Sequence, residues 1–349
     1  MPSSSTDSDE ADRVRGLASE LLGTSISSAD PLASGGNSRA YLLTGQASGR
    51  LVAKITLDRS RLSREFGALE FLTDGGVDQV PKPVALHPRE ALAVYRYVDG
   101  DAAGPPGEAD IDRAVDFMQT LSAQTVRDEA KAQPPASEAC FSLAEIVQSI
   151  ESRLQRLQKE AVVGHQGLDS FLSVSLGPVF ERISDEVSEA AVAEGTSIED
   201  LLSSEERVLS PSDFGFHNAI RTPDGNLVFV DFEHFGWDDP AKTISDFVLH
   251  PHPDMAMPDV LRRRFVKQMV ESDRLRGRLA MVYPLFGLKW CTILLNEFVP
   301  RDLNRRAFAD RNPDVEARRQ TQLAKAEQML RYVNENGMRF PYFEEERGS

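Results

Sequence analysis

The spacing of apolar positions changes character along the chain. Ala11 to Leu22 carries them at helical intervals and stops at Gly23, which predicts an opening helix. Residues 1–10 are polar and Ser-rich without an apolar run, which predicts a disordered tail rather than a signal peptide. From Pro31 to Val98 short β-type runs, Ala40–Leu43, Leu51–Ile55 and Ala91–Tyr97, stand between turn residues, with one helical stretch, Ser63–Leu72. The expectation is a small antiparallel sheet with one main helix laid on it. The Gly/Pro/Asp cluster Asp99–Gly107 punctuates rather than packs. It divides an amino-terminal lobe over 11–98 from a larger, mainly helical lobe over 108–349, with 99–107 as hinge or linker. The fold class is therefore α+β with two lobes.

Within the second lobe Ile111, Val115, Met118 and Leu121 fall on one helix face. Ser142 and Glu145 form an S-x-x-E capping box ahead of the apolar stripe Leu143, Ile146, Val147, Ile150, Leu154 and Leu157. The most apolar stretch, Leu279 to Val299, is interrupted by Pro284, Lys289, Asn296 and Glu297, so it reads as a buried helix pair rather than a membrane span.

Composition narrows the class. A chain of 349 residues with 41 % hydrophobic and 27 % charged side chains excludes collagen, fibre and disorder. The net charge of −16 argues against a general nucleic-acid binder, which needs a basic face, and leaves room for a cationic ligand. The charge is uneven, about −22 over the first 260 residues and +6 over the rest. Glu181 to Glu206 holds nine acidic residues against one basic, Arg182, and reads as an exposed helix and loop, or as an acidic rim that attracts a cationic substrate. Cys140 and Cys291 form no disulfide framework and no C-x-x-C metal site, which fits a reducing, cytoplasmic setting.

The chemistry concentrates in Leu209–Ile220 and the hairpin that follows, Thr222-Pro-Asp-Gly-Asn226 and then Leu227–Glu233. Asp213, Asn218 and Asp231 are oxygen donors of the types a phosphoryl-transfer site uses. One carboxylate orients and deprotonates the attacking hydroxyl, while an amide oxygen and a second carboxylate hold Mg²⁺ against nucleotide phosphates. A hairpin between Asn218 and Asp231 would turn both ligands to one site. Upstream, Lys54 is the only charge inside the β-run Leu51–Ile55, costly to bury without a partner, and Glu65 on the next helix can supply one. Ser34-Gly35-Gly36-Asn37-Ser38 is a turn through which backbone N–H groups can approach phosphates.

In this order the motifs resemble the aminoglycoside phosphotransferase and choline kinase family, the small-molecule branch of the protein-kinase-like fold. The segments that carry the likeness are Ser34–Arg39, Val52-Ala-Lys54, the Asp213-x4-Asn218 loop and Val230–Asp246. The resemblance implies that Asp213 is the catalytic base and that Asn218 and Asp231 bind Mg²⁺. It also implies that Lys54 with Glu65 positions the phosphates of ATP, or of GTP, over the turn Ser34–Ser38. Tyr95, Tyr97 and Val98 then belong to the hinge that grips the base, and Asp246 braces the catalytic loop.

The chain departs from that pattern at Pro211-Ser212-Asp213, where the family writes His-Gly-Asp, and at Phe216-His217 before the metal-binding Asn. That departure motivates the rival reading, a pseudokinase or nucleotide-binding structural module without turnover. No long activation segment separates Glu233 from Asp238-Asp-Pro240, so a small hydroxylated acceptor, such as an aminoglycoside, amino alcohol or sugar, is favoured over a peptide. His250-Pro-His252-Pro reads as a rigid loop, and Trp237, Tyr283 and Trp290 as core residues with a possible place in an acceptor pocket.

Overall fold

The computed structural model describes residues 4–32, 38–46, 49–161, 165–301 and 314–343. The turn expected over Ser34–Asn37 lies outside them. Helix α1 (Ser4–Leu22) starts before Ala11, so the expected tail is helical from Ser4. Strands β1 (Ile26–Pro31), β2 (Ser38–Gly45), β3 (Leu51–Thr56), β4 (Pro83–His87) and β5 (Leu92–Arg96) form one antiparallel sheet in the order β1-β2-β3-β5-β4. Helix α2 (Arg59–Asp74) crosses over between β3 and β4 and begins at Asp58, whose side chain accepts from Ser60 N and Arg61 N.

Alternation within the strands assigns the two faces of this sheet. Leu51 and Ala53 join Tyr41, Leu43, Leu92 and Val94 in a core closed by Val14 and Ala18 of α1. Lys54, one residue out of phase with Ala53, faces the other side with Ala93 and Tyr95, where α2 lies. A one-residue slip would bury Lys54 under α1, so the apolar pattern fixes where its ammonium points.

The linker is no free tether. Gly100, at φ +150° and packed where a Cβ would meet the Arg221 carbonyl, turns the chain into β6 (Asp101–Ala102). That strand pairs with β8 (Ala219–Arg221), which pairs with β9 (Leu227–Phe229). Helix α3 (Glu108–Gln124) follows, and its buried Asp110 accepts from Gly107 N at 2.9 Å and from Arg221 at 2.6 Å. One carboxylate thus ties linker, helix and hairpin together.

The remaining lobe is helical: α4 (Leu143–Glu160), the short α5 (Gln166–Ser170), α6 (Gly177–Ala193), α7 (Pro240–Leu249), α8 (Asp259–Met269), α9 (Asp273–Leu294) and α10 (Val315–Asn336). A two-stranded pair, β7 (Val208–Ser210) with β10 (Gly236–Asp238), carries the loop that holds Asp213. The expected capping box forms, with Glu145 N donating to Ser142 Oγ at 3.1 Å and Ser142 N to Glu145 Oε2 at 3.3 Å. The expected helix pair at Leu279–Val299 is instead a single helix, α9, with Pro284 inside it, ended by a 3₁₀ turn, Leu295–Phe298. Residues 273–298 are long and apolar enough to cross a membrane, yet 83 % of their most apolar stretch is packed inside the lobe.

Candidate active site

Three elements far apart in sequence meet at Lys54. Its ammonium donates to Glu65 Oε2 at 2.7 Å and to Asp231 Oδ1 at 2.8 Å. Burial alone would lower the lysine's pKa, but the two carboxylates hold it above the ordinary lysine range. Burial pushes Glu65 up, against the pull of Lys54. Asp231 has a left-handed backbone, φ +66°. Among the described residues the other non-glycine positions of this kind are Ala91, Glu138 and Ser212, so three of the four border the cleft, where strain is characteristic of working sites. Arg61 of α2 reaches Glu233 at 2.8 Å and ties the helix to the segment just past Asp231.

The expected hairpin is present. Ala219 pairs with Phe229, and Val230 N donates to Asn218 O at 2.8 Å, which sets Asn218 beside the segment ending at Asp231. The Asn218 amide nitrogen donates to Asp213 O at 3.0 Å, leaving its side-chain oxygen as the available ligand atom. An amide oxygen and a carboxylate on one hairpin are a hard-oxygen set that suits Mg²⁺.

Asp213 sits at the other end of the cleft, its side chain 42 % exposed. His217 Nε2 lies 3.2 Å and His250 Nε2 3.3 Å from the same oxygen, Oδ1. Burial acts to raise its pKa, but the two imidazole contacts override it and hold the carboxyl well below the usual carboxylate range. The rings of His217 and His250 stack at 4.1 Å. Asp213, His217 and His250 offer ligand atoms within 4.8 Å of one another, a spacing open to a metal ion. However, His250 Nδ1 accepts from His252 N at 3.2 Å. With that lone pair committed, Nε2 keeps the proton and turns it toward Asp213 Oδ1 at 3.3 Å. Burial lowers the His250 pKa, so the ring is neutral at pH 7.

Under this loop lies the buried Lys242. It donates to Asp238 at 2.6 Å and to Ser212 Oγ at 2.9 Å, and lies 3.5 Å from Asp246. Ser212, at φ +70°, is therefore pinned from below, and the carboxylate that follows it is aimed into the cleft. Trp290 Nε1 donates to Asp246 Oδ1 at 3.1 Å, which places that tryptophan at the site.

Other candidates are located differently. Tyr95 turns its ring inward against Phe66 and keeps a buried hydroxyl with no partner, while Tyr97 lies under Arg50. Neither ring is free to stack on a base, so only the backbone of Tyr95–Val98 remains for the hinge. Ser38 opens β2 opposite Thr56. Trp237 donates to Ala130 O, and Tyr283 packs in a tyrosine cluster with Tyr332 and Tyr342; both are structural. Sequence reasoning set aside His250 and did not single out Glu138 or Arg153. These residues line, with Asp213, Lys289 and Trp290, a cavity of about 190 Å³. A larger cavity, about 640 Å³ between α3, α7, α8 and α9, includes neither Lys54 nor Asp213.

Comparison with known proteins gives the family and the fold. The model of a family described as the phosphotransferase enzyme family matches residues 28–278. Among curated proteins none matches the chain. The fold is similar to that of a spectinomycin phosphotransferase solved with ADP and spectinomycin, at TM-score 0.62 and 12 % identity, covering 93 % of this chain and 97 % of that one. It is also similar to choline kinase from Streptococcus pneumoniae, at TM-score 0.58 and 16 % identity, covering 93 % and 99 %. A choline/ethanolamine kinase family protein from Mesorhizobium loti aligns at TM-score 0.57 and 15 % identity, over 94 % and 98 %. At such identities the likeness shows the fold, bilobal and kinase-like.

Proposed function

Because the chain belongs to the phosphotransferase enzyme family, we propose that it transfers the γ-phosphoryl group of ATP, or of GTP, to a hydroxyl of a small polar molecule. The observation that carries this reading is Lys54, bonded at 2.7 and 2.8 Å to Glu65 and Asp231, on the same cleft as an Asp213 held by two imidazoles. Solved neighbours that hold ADP or AMP support a nucleotide at this place.

Lys54 is the group that meets the nucleotide phosphates, and Glu65 fixes its direction. Asn218 and Asp231 would hold Mg²⁺, which when bound neutralises charge on the β- and γ-phosphates. Asp213 keeps Oδ1 occupied by His217 and His250, so Oδ2 is the oxygen that faces an acceptor hydroxyl. A carboxylate of depressed pKa is a weak base. That suits phosphoryl transfer through a loose transition state, where orienting the nucleophile matters more than early proton removal.

The test is a screen of hydroxylated small molecules for nucleotide- and Mg²⁺-dependent phosphorylation, run on the wild type and two variants. Asp213→Asn should lower turnover about 10²- to 10⁴-fold with nucleotide affinity nearly unchanged. Lys54→Ala should weaken nucleotide affinity as well. Equal loss of affinity in both would overturn the division of roles. Nucleotide binding with no turnover on any acceptor would favour the pseudokinase motivated by Pro211-Ser212-Asp213.

A further inference from the structure

The cavity beside Asp213 has a wall that holds a buried ammonium without hydrogen-bond acceptors. Lys289 of α9 is 3 % exposed, and its ammonium has no hydrogen-bond partner. Its nearest carboxylate oxygen, Glu138 Oε2, stands 3.3 Å away in an ion-pair contact without hydrogen-bond geometry, and the Phe286 ring lies at 5.1 Å. Arg153 of α4 donates to that same Glu138 oxygen at 2.7 Å. Two cations therefore share one carboxylate. Although partial burial acts to raise it, Lys289 and Arg153 hold Glu138 at about 2, so it stays ionised and cannot accept more charge. Asp246 lines the same cavity and acts on Lys289 through its charge, but its oxygens are bonded by Trp290 at 3.1 Å and faced by Lys242 at 3.5 Å, so it gives Lys289 no hydrogen bond.

The donor count points the same way. A lysine ammonium carries three N–H donors and a guanidinium five. A buried cation with unused donors is costly unless a ligand supplies oxygens. An amine can supply none. An oxyanion supplies the missing acceptors, and Arg with Lys is a pairing suited to carboxylate or phosphate. The cavity's small size, about 190 Å³, suits a compact molecule or one end of a larger one.

We propose that the acceptor carries an anionic oxygen group, a carboxylate or a phosphate monoester, seated on Lys289 and Arg153 while its hydroxyl faces Asp213. This rests on the phosphotransferase reading and reverses the cationic acceptor suggested by the net charge of the whole chain. The local set of hydrogen-bond donors outweighs the total charge because charges farther than about 8–10 Å are screened by salt.

The experiment has two readouts on the full-length protein. The first is acceptor-dependent ADP formation with Mg²⁺ and ATP, using glycerate and a uronic acid, a hexose monophosphate, glucose, choline and an aminoglycoside. The second is saturable binding of the same molecules, by calorimetry in the presence of Mg²⁺ and ADP. An anionic arm should bind and turn over, and the carboxylate and phosphate arms separate the two sources of charge. Lys289→Met, which removes a poorly bonded charge at nearly constant volume, and Arg153→Gln should each raise KM for that acceptor about 10- to 100-fold, with a smaller change in kcat. Turnover of glucose, choline or the aminoglycoside that is unmoved by Lys289→Met, with no anion binding, overturns the inference and keeps the kinase. Anion binding lost in Lys289→Met but without phosphoryl transfer keeps the site and counts against the kinase. Absence of both overturns both.

Discussion

The two ends of the cleft balance buried lysines in opposite ways. At the nucleotide end Lys54 lies between Glu65 and Asp231, hydrogen-bonded to each. At the acceptor end Lys289 shares the single carboxylate of Glu138 with Arg153 and makes no hydrogen bond. Lys242 stands between these extremes, bonded to Asp238 at 2.6 Å but only near Asp246, at 3.5 Å. A closed cluster fixes geometry before any ligand arrives, whereas an open one has free energy to gain from a ligand. On the proposed function, the end proposed for the nucleotide is ready beforehand and the end proposed for the acceptor is completed by its ligand.

The largest test of that contrast is removal of the carboxylate at each end. Glu65 is 5 % exposed, and Glu65→Ala leaves Lys54 buried against Asp231 alone. It should cost about 1–3 kcal/mol of unfolding free energy in urea titration, because a buried ammonium donor loses its acceptor while Asp231 still balances the charge. Glu138 is 50 % exposed, but Glu138→Ala strips the buried Lys289 of its carboxylate contact and should cost about 3 kcal/mol, most of it recovered in the double variant with Lys289→Met. A loss that Lys289→Met does not relieve would show that Lys289 is not the open end of the contrast.

The same contrast explains what the sequence revealed. The nucleotide end was legible because Lys54 is a lone charge in an alternating strand, Glu65 is on the very next helix, and Asn218 and Asp231 flank one hairpin. Each signal is local, and strand register and turn chemistry carry it into three dimensions. The acceptor end is not local. Glu138 sits in a loop before α4, Arg153 on α4, Lys289 on α9 and His250 at the end of α7, and no spacing rule joins them. His250-Pro-His252 read as a rigid loop, which it is. Its role follows only from helix packing that brings His250 to Asp213, and the expected helix pair at Leu279–Val299 hid the continuous α9 that presents Lys289. At the expected hinge, alternation sends the Tyr95 ring inward against Phe66 and leaves the Tyr97 ring under Arg50.

A middle-sized effect should come from Asp246. Burial pushes its pKa up to about 6, with Lys242 and Lys289 opposing. Between pH 4 and 6 the folded protein thus keeps a proton that the unfolded chain has released. Stability must then fall as pH rises through this window, by up to about 3 kcal/mol. Asp246→Asn can still accept from Trp290 and should flatten that slope, read from urea midpoints at pH 4.5 and 6.5. A slope of full size in the variant would assign it to another group and place Lys242 among the closed clusters.

The smallest effect separates positioning from catalysis. His250 Nε2 contacts Asp213 Oδ1 at 3.3 Å and touches neither Lys54 nor Asp231, so on the proposed function His250→Phe should lower kcat about tenfold, as expected for loss of one orienting contact. KM for ATP should stay within error. The pH profile supplies the readout that a merely structural change would not move. His250 helps hold Asp213 well below the ordinary carboxylate range, so removing the donor raises the pKa of Asp213. Transfer needs the ionised carboxylate and is lost as pH falls through that pKa. The acid limb of kcat should therefore shift to higher pH in His250→Phe, and His250→Gln, which can still donate, should restore part of both the rate and the limb. A uniform drop in rate with an unshifted limb would mean that Asp213 is held by His217 alone, and that the acceptor end is less open to adjustment than its unpaired lysine implies.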